Sequence, residues 1–205
     1  SGQDGRLQFH RVAVGDHLLL GGDNLDLALA HHVEPKLARG GRLDARQWSM
    51  LIPACRHAKE ILLGENPPAS HTIVIAGGGS KLIGGSLQAE LTREEVVSIF
   101  LDGFLPTVEL SDKPAKRQSG FQEFGLPYAA DPAITKYLAA FLTTHGSVND
   151  PDVPQSASEK ILAARPDVVL FNGGFFASPL LRTRLIESLE RWFRPYSVGK
   201  SKEPD

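Results

Sequence analysis

The spacing of apolar residues changes repeatedly along this chain, and each change predicts an element. Residues Leu7 to Val14 alternate roughly apolar and polar, the period of a strand. After Gly15-Asp16 the run Leu18 to Leu20 continues, and Gly21-Gly22 breaks it. Asp23 or Asn24 then offers an N-cap for a helix through about Leu37, with Leu25, Leu29 and either His32 or Val33 on one face. Gly40-Gly41 predicts its end. Asp44 to Gln47 forms a capping-box pattern ahead of a helix to about Leu63. Trp48, Leu51, Cys55, Ala58 and Leu62 are its stripe, and Pro53 predicts a kink or a break. Gly64 to Pro68 reads as a loop.

Alternation returns at His71 to Ala76 and at Leu82 to Leu91, with Gly77-Gly78-Gly79-Ser80 as the hairpin turn between them. Thr92 to Glu95 is a second capping box, opening a helix with Val96, Val97, Phe100, Leu101, Phe104 and Leu105 inward. Ser111 to Ala130 loses all periodicity and predicts an irregular surface segment anchored by Phe121, Phe124 and Tyr128. Asp131-Pro132 reads as an N-cap with proline at the first helical position, for a helix to about His145 with Ile134, Leu138, Phe141 and Leu142 inward. Ser147 to Pro154 is a polar loop, and Ser156 to Glu159 caps a short helix to Ala164. Asp167 to Phe171 is continuously apolar, the pattern of a strand in mid-sheet. Ser178-Pro179 opens a last helix with Leu181, Leu185, Leu189 and Trp192 inward, and the tail from Ser197 to Asp205 reads as disordered. No internal repeat is present. The element order predicts an α/β fold whose sheet is incomplete, because the strand at each end needs neighbours.

Composition narrows the class without naming it. The 205 residues fit one or two domains, and 41% hydrophobic with 22% charged is ordinary for a globular protein. A net charge of −2 argues against nucleic acid or an anionic membrane surface as partner. No apolar run reaches the roughly 18 to 20 residues of a membrane helix, and no signal-peptide pattern is present. The single Cys55 excludes an intramolecular disulfide and fits a reducing cytoplasm. Ser1-Gly2 at the start and Met50 as the one methionine predict a trimmed chain.

Candidate chemistry centres on two glycine turns, Gly21-Gly22 and Gly173-Gly174, each closing an apolar segment and leading into a helix. Glycine lets backbone N–H groups approach a phosphate or sugar closely at a helix N-terminus. Other candidates fall away. Gly77 to Lys81 lacks the Gly-Lys-Ser/Thr order that opens a P-loop helix, so a hairpin turn explains it. His31 and His32 are adjacent and point about 100° apart, and the remaining histidines have no ligand spacing. Capping and first-turn dipole preference explain Asp23 and Asp26, and Asp16 adds no metal pattern. Cys55 lies on an apolar stripe and reads as core. No Ser/His/Asp set follows from spacing.

With both turns placed, the chain resembles lobe II of the seventy-kilodalton heat-shock (DnaK-type) chaperone ATPase, in a divergent bacterial branch. Val14 to Asp26 is similar to that family's GD-x-x-LGG-x-D-F-D turn, and Ala54 to Leu62 to the helix lying against adenine. Thr92 to Val96 and Leu101 to Glu109 resemble its T-R-x-x-F helix and continuation, and Val168 to Gly174 followed by Pro179 resembles its V-L-V-G-G-S-x-R-x-P turn. The departures are specific. In the adenine helix, Arg56, Lys59, Glu60 and Leu63 stand where the family has an acid, a lysine, a basic residue and a serine, so only Lys59 matches. Phe175 and Ala177 replace the second turn's serine and arginine, and Phe175 or Phe176 offers a stacking surface instead. The stretch from Gly120 to Tyr128 has no counterpart in the typical chaperone.

The resemblance implies an actin-like, ribonuclease-H-related lobe II fragment. Residues 1–22 and 130–205 would form the core subdomain, 23–110 the helix–hairpin subdomain closing over adenine, and 111–129 an irregular insertion. It implies nucleotide contacts from Gly21, Gly22, Asp23, Arg56, Lys59, Glu60, Gly173, Gly174 and Phe175, with no catalytic or metal-ligating residue. The parent would be a cytoplasmic ATP-dependent folding chaperone using ATP or ADP with magnesium, with client proteins and co-chaperones as partners. The phosphate loops and magnesium aspartates would lie elsewhere in the parent, so this chain alone is predicted to be inactive and to hold no cofactor tightly. Two other readings stand beside it: a non-catalytic docking module from a degenerate actin-like ATPase, and a sugar-kinase lobe of the same superfold.

Overall fold

The structure is a computed structural model that describes residues 11, 13–15, 18–39, 41–77, 85–115, 131–146 and 161–197. It is α/β: helices packed on a two-stranded antiparallel sheet. The first helix, α1 (Gly22–Ala38), starts from Gly21, whose backbone is extended. The cap therefore falls earlier than the Asp23 or Asn24 that the sequence suggests. Asn24 works from inside the first turn, its Oδ1 accepting the Gly21 N–H at 2.7 Å. Leu25, Leu29, Val33 and Leu37 form the buried stripe, while His32 is half-buried. Arg39 takes the left-handed position that ends α1 (φ 48°), ahead of the glycines predicted to stop it.

The second helix, α2 (Ala45–Leu62), carries the predicted capping box, with the Gln47 N–H donating to Asp44 at 2.8 Å and the Asp44 N–H to Gln47 at 3.0 Å. Leu51, Cys55, Ala58 and Leu62 are fully buried. Pro53 neither splits nor ends α2. It lies on the exposed face, where solvent can satisfy the carbonyl that its missing N–H leaves free. Cys55 is core, and burial followed by the nearby Asp26 charge pushes its thiol up to about 12.

Strands β1 (Ser70–Ala76) and β2 (Ser86–Thr92) pair antiparallel, with Ile73 opposite Ala89 and Ile75 opposite Leu87. The predicted alternation holds: Ile73, Ile75, Ala89 and Leu91 face inward, against α1 and α2, while Thr72 and Val74 face out. The turn around Gly78 to Ser80, and Leu82, lie outside the described residues. Helix α3 (Arg93–Ser98) opens with the predicted Thr92–Glu95 box. The continuous helix expected as far as Leu105 instead widens into a π-turn, Ile99–Phe104, which ends with the Leu105 N–H donating to Phe100 O at 3.1 Å. Phe100, Phe104 and Leu105 are buried as expected.

Helix α4 (Ile134–His145) begins later than Asp131-Pro132 suggests. Asp131 fixes the preceding turn rather than capping the helix: its carboxylate accepts the Ala133 and Ala115 N–H groups, both at 3.0 Å, and pairs with Lys136 at 2.9 Å. Burial would raise the pKa of this carboxyl, but those donors outweigh it and hold it low. Thr135 is buried and donates to Pro106 O at 2.9 Å, tying α4 to the segment after the π-turn. At the end of α4, a Cβ on Gly146 would stand 2.1 Å from Ala164 Cβ, so only glycine fits there.

The last helix, α5 (Pro179–Ser197), begins with proline, but the Ser178 hydroxyl finds no hydrogen-bond partner among the described residues, so the predicted side-chain cap is missing. Leu181, Leu185, Leu189 and Trp192 are buried as predicted. Trp192 Nε1 donates to Val108 O at 2.7 Å, Arg191 donates to the same carbonyl, and Arg184 Nε reaches Leu105 O at 3.1 Å. These donors satisfy carbonyls of an irregular segment that has no ladder of its own.

The two predicted outer strands are the main departure. Residues 168–171 are irregular, with Val168 85% and Leu170 92% exposed. Arg11, Ala13, Val14 and residues 18–20 are likewise irregular, with Val14 and Leu19 exposed. Strand structure needs a ladder partner, and none lies beside these segments among the described residues. Leu7 to His10, Val12, Ser147 to Pro154, Ser156 to Glu159, Phe121, Phe124, Tyr128 and the tail from Val198 lie outside the described residues, and only residues 161–163 of the short helix before Ala164 lie within them.

Candidate functional site

A cleft of about 650 Å³ opens at the N-terminus of α1, within the ordinary range for ligand sites. Gly21, Gly22 and Asp23 line it from the α1 side, Arg56, Lys59 and Glu60 from α2, and Gly174 and Ala177 from the second glycine turn. Leu18, Leu19 and Leu20 supply an apolar wall. The cleft thus joins both glycine turns, which are remote in sequence, with the helix expected to face adenine. Gly173 and Phe175 are not among its lining residues.

Glycine is needed for its backbone at one of these turns. Gly173 has φ 83°, which L side chains resist, and its N–H is held by the Asn172 side chain at 2.8 Å. Gly21 and Gly174 are not constrained in this way: a Cβ on either would meet open space. Their missing side chains keep the cleft mouth clear.

Phe175 departs from its predicted role. It is 6% exposed, with its ring against Phe104 at 6.2 Å and Phe176 at 4.8 Å between centroids. Burying an aromatic ring releases more free energy than leaving it beside an open cleft, so the short 3₁₀ turn Gly174–Ala177 turns it inward. Phe176 is half-buried against Phe171 at 5.0 Å.

The residue that organises the cleft is not among the nucleotide contacts expected from sequence. Asp26 is 0% exposed, yet it is ionically paired on both oxygens, to Arg56 Nε at 2.7 Å and to Lys59 Nζ at 2.5 Å. Arg56 spans to the exposed Asp23 at 2.6 Å, and Lys59 also donates to Gly22 O at 3.3 Å. Arg56 and Lys59 stand one turn apart on α2, so one carboxylate reaches both. The hydrogen bond to Asp26, then the Asp26 and Asp23 charges, hold the Arg56 guanidinium still further into its charged form. A signal for Asp26 is present in the sequence: it stands three residues before Leu29 and four before Ala30, on the apolar stripe of α1. A carboxylate buried there requires a cation.

Away from the cleft, Glu95 joins α3 to α1 through Lys36 at 2.5 Å and His32 at 3.0 Å. Burial raises its pKa, but Lys36, the Thr92 N–H and His32 outweigh that and bring it to about 2. Among the described residues no three His, Cys, Asp or Glu side chains converge as a metal site, and no helix is long and apolar enough to cross a membrane. Of known proteins, no protein-family model, no curated protein and no solved structure matches this chain.

Proposed function

We propose that this chain is a lobe of an actin-like ATPase domain from a relative of the DnaK-type chaperones. In this reading the cleft beside α1 is the adenosine-side rim of an ATP clamp. One observation carries the reading: Gly21, Gly22, Asp23, Arg56, Lys59, Glu60 and Gly174, all expected from sequence as nucleotide contacts, line a single cleft. In the parent, ATP with magnesium would draw two lobes together and hydrolysis would release them, with client proteins and co-chaperones responding to the hinge. Here the open glycines would let sugar and base approach the backbone, with Asp23 and Glu60 as acceptors for ribose hydroxyls. The phosphate-transfer groups would belong to other parts of the parent, so the chain alone would not hydrolyse ATP.

Titration of adenosine into the isotope-labelled chain, followed by amide NMR, tests this. Millimolar adenosine is expected to shift Gly21, Gly22, Lys59 and Gly174. Shifts confined to other faces, or no response, sink the reading. ATP is expected to bind no tighter than adenosine, and micromolar ATP affinity would contradict the assignment to the adenosine side alone.

A second reading, a docking module without nucleotide function, is favoured by the prior commitment of Arg56 and Lys59 to Asp23 and Asp26. A silent adenosine titration is the outcome it expects.

A further inference from the structure

Three carboxylates (Asp23, Asp26 and Glu60) stand against two cations (Arg56 and Lys59) among the residues lining the cleft. Both cations are already engaged. Asp26, fully buried, holds Lys59 at 2.5 Å and Arg56 at 2.7 Å, and Asp23 takes the remaining arm of Arg56 at 2.6 Å. Lys59 is 13% exposed, so it cannot swing toward a ligand without leaving Asp26. A helix N-terminus ordinarily attracts anions, but Asp23 sits in the first turn of α1 and opposes that field. The Gly21 N–H, another donor facing this end, is taken by Asn24.

We infer that Asp26 is a specificity-determining residue: by holding Lys59 and Arg56 it strips the cleft of free positive charge and turns it away from phosphate toward the uncharged sugar–base end of a nucleotide. This role deepens the nucleotide reading of the cleft and rests on it. Asp26 acts through its two partners and touches no ligand oxygen. Replacing Asp26 by an isosteric amide leaves the same shape with one negative charge fewer and removes the charged partner of Lys59 and of one arm of Arg56, whose other arm stays on Asp23. A carboxylate a few ångströms from a bound anion changes affinity by about fivefold even at the dielectric of water.

The test is the ratio of inorganic pyrophosphate to adenosine affinity at the Gly21, Gly22 and Gly174 amides, measured by NMR in the wild-type chain, Asp26→Asn and Asp23→Asn. The ratio is expected to rise about fivefold in Asp26→Asn and about twofold in Asp23→Asn. The gain should shrink as salt rises. A merely structural role for Asp26 would lower both affinities and raise neither. An unchanged ratio in Asp26→Asn overturns the inference, as does wild-type pyrophosphate binding as tight as that of the variant. If Asp26→Asn does not fold, the pyrophosphate affinity of Asp23→Asn is read by itself, because Asp23, whose side chain is 83% exposed, is also placed on the ribose; no gain over wild type there counts against the inference. If wild-type adenosine leaves these amides unmoved, the nucleotide reading fails; a pyrophosphate gain in the variants would still establish the charge control.

Discussion

The β1–β2 region and the two outer apolar segments are all predicted as strands from their apolar residues and have opposite outcomes. In the first region, β1 and β2 pair with each other and bury Ile73, Ile75, Ala89 and Leu91 against α1 and α2. In the second, Val168 and Leu170 stand almost fully exposed, and Val14 and Leu19 are exposed over about half to two-thirds of their surface. An apolar run states a need for cover; whether cover is present depends on which other segments the fold brings alongside. Where the partner is the next strand in sequence the need is met. Where it must come from a distant strand, the described residues offer none.

The largest expected effect contrasts the two regions directly. Phe100→Ala removes a fully buried ring that packs edge-on against Phe104 and should cost about 3–5 kcal/mol. Leu170→Ser should stay within roughly 0.5 kcal/mol, as for other surface substitutions. Urea denaturation of both variants checks this, and a large loss in Leu170→Ser would show that the outer segment is packed after all.

A second, smaller effect probes the electrostatic tie within the packed region. Glu95→Gln should destabilise the fold at neutral pH by roughly 1–3 kcal/mol, through loss of the charged partner of Lys36 and weakening of the cap. The folded carboxyl is held at about 2 against an ordinary 4.5. Its stabilisation is therefore complete above 4.5 and fades as pH falls toward 2. Thermal melts across that window should show the gap between wild type and variant closing in acid; a constant gap would refute the assignment.

The smallest pair sharpens the picture of the second glycine turn. Gly173→Ala should cost about 1 kcal/mol, because alanine resists the positive φ. Gly174→Ala should be nearly neutral for stability while placing a methyl group in the cleft mouth. Comparing their melting temperatures checks the first half, and the adenosine titration checks the second.

Much of the packed region is legible in the residues. The Asp44–Gln47 and Thr92–Glu95 boxes act over three residues, and both form at the positions their pattern predicts. The stripes of α2 and α5 are buried at the predicted positions because helical spacing alone decides which residues share a face. The misses have identifiable causes, one local and one not. Gly21 caps α1 because Asn24 can reach back to it, and Asp131 turns aside to bind Ala115, a residue that periodicity cannot bring near. At the candidate site, the two glycine turns are legible as breaks, whereas Arg56, Lys59 and Glu60 are singled out only through the family resemblance; Asp26 reads first as an early-helix acid favoured by the dipole, and only its place on the apolar stripe of α1 signals a buried charge.

The two capping boxes, the pairing of β1 with β2 and the buried stripes of α2 and α5 thus follow from the sequence alone, because caps, alternation and helical stripes depend on neighbours a few positions apart. Tertiary packing was needed to bury Asp26 between Arg56 and Lys59, to turn Phe175 toward the core, and to leave Val168 and Leu170 uncovered. Those outcomes depend on pairings across thirty or more residues, where desolvation and packing, not local propensity, set the sign of the free energy.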